Sequence, residues 1–408
     1  MKKNMLVLLI FLAGVLFRLW LISLAPQPII NDQMEYGMYA TKIYSAEWFL
    51  APHSYRTYPY PLFLAGMYKL FGYWNNFAVF TVQAVLDASI GLIIYAIVYY
   101  GLKKPKEAFI GQLLYTLNPF TSGYVGVLLA EILSAFFIIV TIGTGMILLK
   151  TRSIIWAVVF GLIAGLAAET RNAALIWAVI PIGFALFWLR TANIKRFVAA
   201  ITIGLLMSFI YPLITNWREY REINIMTVDS FFAKEFFNGA VLKRLPPFTY
   251  RYPYEVEYMF WEYYSGQHPG RTTQERRQMA AKYVKKTWDI ILRDPIDYLK
   301  VRFDKMWYMW QKENIFFYVE PGFSSHWRWT YVGNLSLLVL AILGIAASWK
   351  RKRSAIATWI YTIMVGSLVY ATLVFSISHA EYRITIPFYP IIIAFAAIGI
   401  GRITRYEA

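Results

Sequence analysis

Uninterrupted apolar stretches, each near the length of a bilayer crossing, dominate this chain. Ten such runs fall at about 5–24, 76–101, 108–123, 126–149, 154–170, 173–189, 197–214, 331–349, 355–376 and 384–401. A helix needs about 20 apolar residues to cross roughly 30 Å of hydrocarbon. Lipid offers the backbone no hydrogen-bond partners, so a crossing must satisfy its own N–H and C=O groups. The expected fold is all-α and polytopic, with about ten transmembrane helices. Composition agrees. The 408 residues are 59% hydrophobic and 15% charged, whereas soluble domains average about 45–50% apolar and about 25% charged. A disordered chain is excluded, and a large soluble enzyme does not fit. The first run follows Lys2 and Lys3 without a clear small-residue cleavage site, so a retained anchor is expected. There is no Cys, which removes disulfides, thiolate metal sites and Cys nucleophiles.

The short loops between runs set the expected orientation. One side carries Lys2, Lys3, Lys103, Lys104, Lys106, Lys150, Arg152, Arg190, Lys195, Arg196, Lys350, Arg351, Lys352, Arg353, Arg402 and Arg405. Only Glu107 and Glu407 oppose these sixteen, so they supply fourteen of the seventeen net positive charges. Basic loops stay cytoplasmic. The expectation is a multi-pass protein of the cytoplasmic (inner) membrane with both termini inside. The basic balance is thus a topology signal, and a nucleic-acid partner is not expected.

This organisation divides the chain into a membrane module, 1–214, with a first outer loop at 25–75; an extracytoplasmic juxtamembrane region, 215–330; and C-terminal spans, 331–408. The outer region carries 18 basic and 14 acidic residues and is rich in Tyr, Trp and Phe. Within it, Thr273–Arg293 reads as an amphipathic helix stopped by Asp294-Pro295, and a second, aromatic helix is expected over about 297–312. Segment 238–272 reads as irregular. In the first outer loop, Tyr36, Tyr39/Ala40, Ile43/Tyr44 and Trp48 share one helical face, which would lie at headgroup depth. Asp32 then starts this helix, and an N-cap role would account for it. Arg56 to Leu64 contains Pro59 and Pro61 and reads as extended before the chain returns to the membrane.

Several short motifs accumulate. They are Asp32-x3-Tyr36-x3-Ala40, Arg56-Thr57-Tyr58-Pro59-Tyr60-Pro61-Leu62-Phe63-Leu64, Leu128-Leu129-Ala130-Glu131 and Gly165-Leu166-Ala167-Ala168-Glu169-Thr170-Arg171-Asn172. Asp294-Pro295 with Tyr298, and Glu381-Tyr382-Arg383 with Pro387 and Pro390, follow. In this order they resemble the GT-C superfamily of membrane glycosyltransferases, nearest to bacterial relatives of protein O-mannosyltransferases and of the lipid A aminoarabinose transferase. Departures are visible. Tyr58-Pro59 replaces Pro-Gly, Asn172 replaces Pro, and Tyr382 and Arg383 are transposed. The stretch 220–270 is largely outside the likeness.

The resemblance implies a GT-C-like fold and transfer of a sugar from a polyprenyl-phosphate donor to a lipid, glycan or protein acceptor outside the cytoplasm. It implies Asp32 as the base, with inversion at the anomeric carbon. Desolvation near the interface would raise the Asp32 pKa and make it a better base. Glu131 would orient the acceptor or, with Asp32, hold a divalent cation. No cofactor is certain, and carboxylates without a His cluster give a metal little support. Glu35 joins the site or faces water, with water favoured. Arg383, Arg171 and Arg56 are the candidates for donor phosphate, since Arg grips phosphate in a planar, two-point contact. His379 could add a donor. Tyr36, Tyr58, Tyr60 and Tyr382 would line the site. Arg171 paired with neighbouring Glu169, and Arg56 snorkelling to lipid, are the plainer readings. Arg18 and Asp87, both inside spans, are placed outside the site. A transporter and a polysaccharide polymerase or ligase with a lipid-diphosphate donor are the rival functions.

Overall fold

The computed structural model describes residues 2–52, 56–171, 174–189, 193–223, 225, 231–241, 243–245, 249–251, 273–318, 327–349, 354–378 and 381–404. Long helices form the body. They are α1 (Lys2–Leu24), α4 (Asn76–Ala96, prolonged by a π turn to Gly101) and α7 (Glu131–Thr151). Then come α8 (Ile154–Thr170), α9 (Ala174–Trp188), α10 (Ile194–Ser208) and α11 (Ile210–Tyr220). At the C-terminal end lie α15 (Trp327–Trp349), α16 (Ala355–Ile377) and α17 (Tyr389–Ile403), the last entered through a 3-10 turn at Tyr382–Phe388. Smaller elements lie between them: α2 (Asp32–Ser45), α3 (Pro59–Phe71), α5 (Pro105–Thr116), α6 (Pro119–Ser122), α12 (Phe231–Val241), α13 (Thr273–Arg293) and α14 (Pro295–Tyr308). A two-stranded antiparallel ribbon pairs Lys243–Leu245 with Thr249–Arg251.

Among the described residues, six helices are long and apolar enough to cross a membrane, seven if the pair α10–α11, bent by 51°, is one span. The shorter apolar helices Ile154–Thr170 and Ile176–Trp188 add to the bundle. The chain is a multi-pass membrane protein. The run expected at 108–123 differs most. It is two helices, α5 and α6, broken where Asn118 turns the chain and caps Phe120 ahead of Pro119. Small residues let the spans approach. A methyl group at Gly161 would collide with the Ile201 carbonyl, and one at Gly204 with the Val158 carbonyl, so α8 and α10 meet backbone to backbone. Gly344 and Gly399 do the same for α15 and α17.

The intramembrane charges Arg18 and Asp87 pair with each other, Nε to Oδ2 at 2.6 Å, both fully buried. Tyr115 donates its hydroxyl to Asp87 Oδ1 at 2.6 Å, and Arg18 donates to the carbonyls of Gly14, Tyr115 and Thr116. This satisfied network staples α1, α4 and α5 together.

Three local expectations are corrected. The prolines after Arg56 do not keep the chain extended: Pro59 occupies the first turn of α3, where a missing N–H costs nothing. The apolar face of α2 (Tyr36, Ala40, Ile43) does not lie among headgroups but is buried in the protein core, packed with α3. Trp48, by contrast, is exposed. The aromatic outer helix ends at Tyr308 rather than 312. Most of the irregular segment, 252–272, lies outside the described residues.

Candidate functional site

The site is built at helix ends. Residues 123–130 form a buried, non-helical segment before α7, and its backbone groups need partners. Three glutamines supply them. Gln27 donates to the Gly123 carbonyl at 2.8 Å, Gln83 donates to the Val125 and Val127 carbonyls, and Gln33 accepts from the Leu128 N–H at 2.9 Å. Gln33, in the first turn of α2, therefore ties Asp32 to the segment that presents Glu131. Both acids begin helices, Asp32 in α2 and Glu131 in α7, where the helix dipole favours a negative charge. Arg171 follows the last residue of α8, where it favours a positive one.

These groups form one chain of ion pairs. Arg56 Nη2 lies 2.8 Å from Asp32 Oδ1, and the same guanidinium holds Glu35 Oε2, with Nε at 2.9 Å. Arg383 Nη2 lies 2.7 Å from Asp32 Oδ2. Arg383 Nε donates to Glu381 and lies 4.0 Å from Glu131 Oε1. Arg171 Nη1 reaches the same Glu131 oxygen at 3.3 Å. Aromatic rings shelve the cations: Arg56 sits 4.9 Å over Tyr36, and Arg383 sits 4.8 Å over Phe317. Asp32, Glu35, Glu131 and Glu381 are thus linked to Arg56, Arg171 and Arg383, four carboxylates against three guanidiniums.

Four expectations change. Asp32 does not cap its own helix: Asn31 holds the cap position, and both Asp32 oxygens face arginines. Burial pushes the Asp32 carboxyl up, but Arg383 and Arg56 together outweigh it and hold it at about 2, the reverse of the expected rise. Glu35 turns to Arg56 rather than to water. Arg171 pairs with Glu131 and not with Glu169, whose Oε1 is buried without a hydrogen-bond partner among the described residues.

The tyrosines divide. Tyr36 and Tyr382 touch the cluster, Tyr36 beneath Arg56 and Tyr382 packed 5.4 Å from Phe317. Tyr58 and Tyr60 do not line an open site. Tyr60 is fully buried beneath Tyr36 and donates to Gln83 at 2.7 Å, while Tyr58 is buried and donates to Asn216. His379 lies outside the described residues. Among the described residues, no three His, Cys, Asp or Glu side chains come together as a metal site, and Asp32 and Glu131 are each engaged by arginine.

Sequence reasoning missed the role of Glu381, although it stands two places before Arg383. It also missed Phe317 and the three glutamines. Their importance depends on a buried turn that no periodicity marks. An apolar groove of about 480 Å³ opens beside this end of the bundle, lined by Leu117, Phe120, Ile315, Trp329, Gly333 and Leu337, among others.

No protein-family profile matches the sequence, and no curated protein matches it. Solved structures do. The archaeal oligosaccharyltransferase AglB from Archaeoglobus fulgidus, in complex with an inhibitory peptide and a dolichol-phosphate, matches 99% of this chain and 51% of its own at 14% identity, with a TM-score of 0.53. The oligosaccharyltransferase of the same organism tethered to an acceptor peptide with an NVT sequon gives 13%, 99%, 50% and 0.53. ArnT from Cupriavidus metallidurans bound to undecaprenyl phosphate overlaps 97% of this chain and 78% of its own at 12% identity, with a TM-score of 0.45. The chain spans about half the length of the oligosaccharyltransferase. At these identities the likeness concerns the fold alone, which this chain shares with about half of the oligosaccharyltransferase.

Proposed function

We propose that this chain is a membrane glycosyltransferase. It moves a sugar from a polyprenyl-phosphate donor to a lipid, glycan or protein acceptor on the extracytoplasmic side of the inner membrane. The observation that carries the reading is Asp32 clasped between Arg56 and Arg383 on a GT-C-type fold. The placement of the cluster agrees. Glu131 and Arg171 stand at the ends of α7 and α8 opposite the basic residues Lys150 and Arg152, and Arg383 stands opposite Arg402. With the basic ends cytoplasmic, the cluster is extracytoplasmic.

The chemistry follows from the charges. A lipid phosphate entering the cluster takes Arg383 and Arg56 away from Asp32, and the apolar groove suits its isoprenoid tail. Asp32, released, accepts the proton of the acceptor nucleophile. The nucleophile forms a bond to the anomeric carbon while the bond from that carbon to the phosphate oxygen breaks. The electron pair leaves on the lipid phosphate, whose added charge the guanidiniums balance. Single displacement inverts the centre. Glu131, held by Arg171, orients the acceptor.

The test is to incubate the purified protein with a panel of lipid-phosphate sugars and acceptors and measure free lipid phosphate. No release from any donor, alongside solute movement across sealed vesicles, would replace the enzyme reading with a transporter. The pH profile adds a second check. The Asp32 pKa is depressed in the folded, ligand-free protein, to about 2, so the side chain stays ionised from neutral pH down through pH 4. Because kcat/KM reports the free enzyme, Asp32 should contribute no acid limb to kcat/KM above about pH 3. A limb near pH 4–5 that vanishes in Asp32→Asn would show that the two arginines do not hold Asp32 in the free enzyme.

A further inference from the structure

A fully buried lysine lies directly under the turn that carries Arg383. Lys312 follows α14 and is 1% exposed. Its Nζ donates to the Met309 carbonyl at 2.8 Å, to Thr385 Oγ1 at 2.9 Å and to the Tyr382 carbonyl. Thr385 in turn donates its hydroxyl to the Met309 carbonyl at 2.7 Å. An ammonium has three donors, and all three are used. Two of the acceptors, Tyr382 and Thr385, bracket Arg383 in the 3-10 turn, which no side chain caps. Above the turn, Phe317 from the same segment lies under the Arg383 guanidinium, and the Phe317 and Tyr318 N–H groups are fixed by Gln27. Residues 312–318 therefore grip the Arg383 turn from both sides.

Charge makes this arrangement costly. No carboxylate pairs with Lys312 among the described residues; the rings of Tyr389 and Tyr382, at 5.1 and 5.9 Å, are its softer neighbours. Burying a cation without a counter-ion costs several kcal/mol, and burial pushes the Lys312 ammonium well down from its ordinary range. An apolar side chain would fill the same space at lower cost. What a methionine could not do is hold the Tyr382 carbonyl and the Thr385 hydroxyl.

We propose that Lys312 is a positioning residue for the donor phosphate: it fixes the turn that aims Arg383 at an anionic lipid headgroup. This rests on the glycosyltransferase reading above.

The test uses the full-length protein in detergent, with undecaprenyl phosphate as the probe. Lys312→Met should raise its Kd about tenfold, which is about 1.4 kcal/mol. The KM for a sugar donor should rise about tenfold and kcat change less than about twofold, the pattern of lost binding common to ground and transition states. Thr385→Val removes one of the three acceptors and leaves the lysine in place, so it should weaken binding by only about threefold. It also decides the matter if Lys312→Met does not fold. Variants that fold and bind the probe as the wild type does would make Lys312 a structural residue only and overturn the proposal. If the wild type itself fails to bind the probe, the glycosyltransferase reading falls and this inference falls with it.

Discussion

Asp32→Asn is expected to lower sugar transfer by about 10²- to 10⁴-fold, the usual contribution of a positioned base, while tightening the binding of polyprenyl phosphate. The two effects share one cause. In the ligand-free protein Asp32 spends both oxygens on guanidiniums, Oδ1 on Arg56 and Oδ2 on Arg383. A phosphate must displace it from both. An asparagine still fits the space but competes far less for the arginines, because its oxygen is neutral and its amide repels them. Affinity for undecaprenyl phosphate should therefore rise, by about tenfold if displacing the carboxylate costs about 1.4 kcal/mol. Turnover falls because the amide cannot take a proton. Titration of the lipid phosphate against both proteins, with release of free lipid phosphate as the activity readout, checks both halves. Unchanged affinity would mean that Asp32 and the phosphate do not compete for Arg383. Near-normal turnover would remove Asp32 as the base.

The second large effect concerns stability. Asp87→Leu should destabilise the protein by about 3–5 kcal/mol, the cost of leaving one partner of a buried ion pair without the other. Arg18 would lose its only carboxylate partner among the described residues, and the Tyr115 hydroxyl would lose its acceptor. The paired variant Arg18→Met with Asp87→Leu should recover most of the loss, because neither charge then needs compensation. Thermal unfolding in detergent measures both. A single variant no less stable than the double would show that Arg18 reaches lipid headgroups or water instead.

The all-helical, multi-pass class was legible because it is written in a long-range average, whereas the count of ten spans was not: six or seven helices among the described residues are long and apolar enough to cross. Runs of apolar residues announce spans whatever their neighbours do, and α1, α4, α7, α15, α16 and α17 sit where those runs lie. Thr273–Arg293 was legible to the residue, since Asp294-Pro295 forces a stop there and Asp294 caps the next helix. The 108–123 run misled for the same reason that the others were readable. Hydropathy alone does not register that Asn118-Pro119 turns the chain.

The resemblance had already gathered Asp32, Glu131 and the three arginines into one candidate site; which acid pairs with which arginine was not legible. Each acid and arginine could be named from the short motifs, yet the plainer alternatives for Arg171 and Glu35 were wrong. Both depend on which helix ends meet. Glu169 is the nearer carboxylate to Arg171 in sequence, but Glu131 is the one its guanidinium reaches. The direction of the Asp32 shift was reversed on the same account, since burial was foreseeable from the position of the loop and the two flanking cations were not.

What this chain settles from its sequence is which parts enter lipid, where basic charge lies along it, and which few ionisable side chains stand at the ends of spans. These are local quantities, because the transfer of a helix into hydrocarbon depends mainly on the residues within it. Tertiary structure alone decided which acid meets which arginine among Asp32, Glu131, Arg171 and Arg383, spread over some 350 positions of the chain. It also decided that Lys312 is buried beneath them and that every arginine there is already matched to an acid. Electrostatic energy depends on distances of a few ångströms between groups far apart in sequence, and only packing sets those distances.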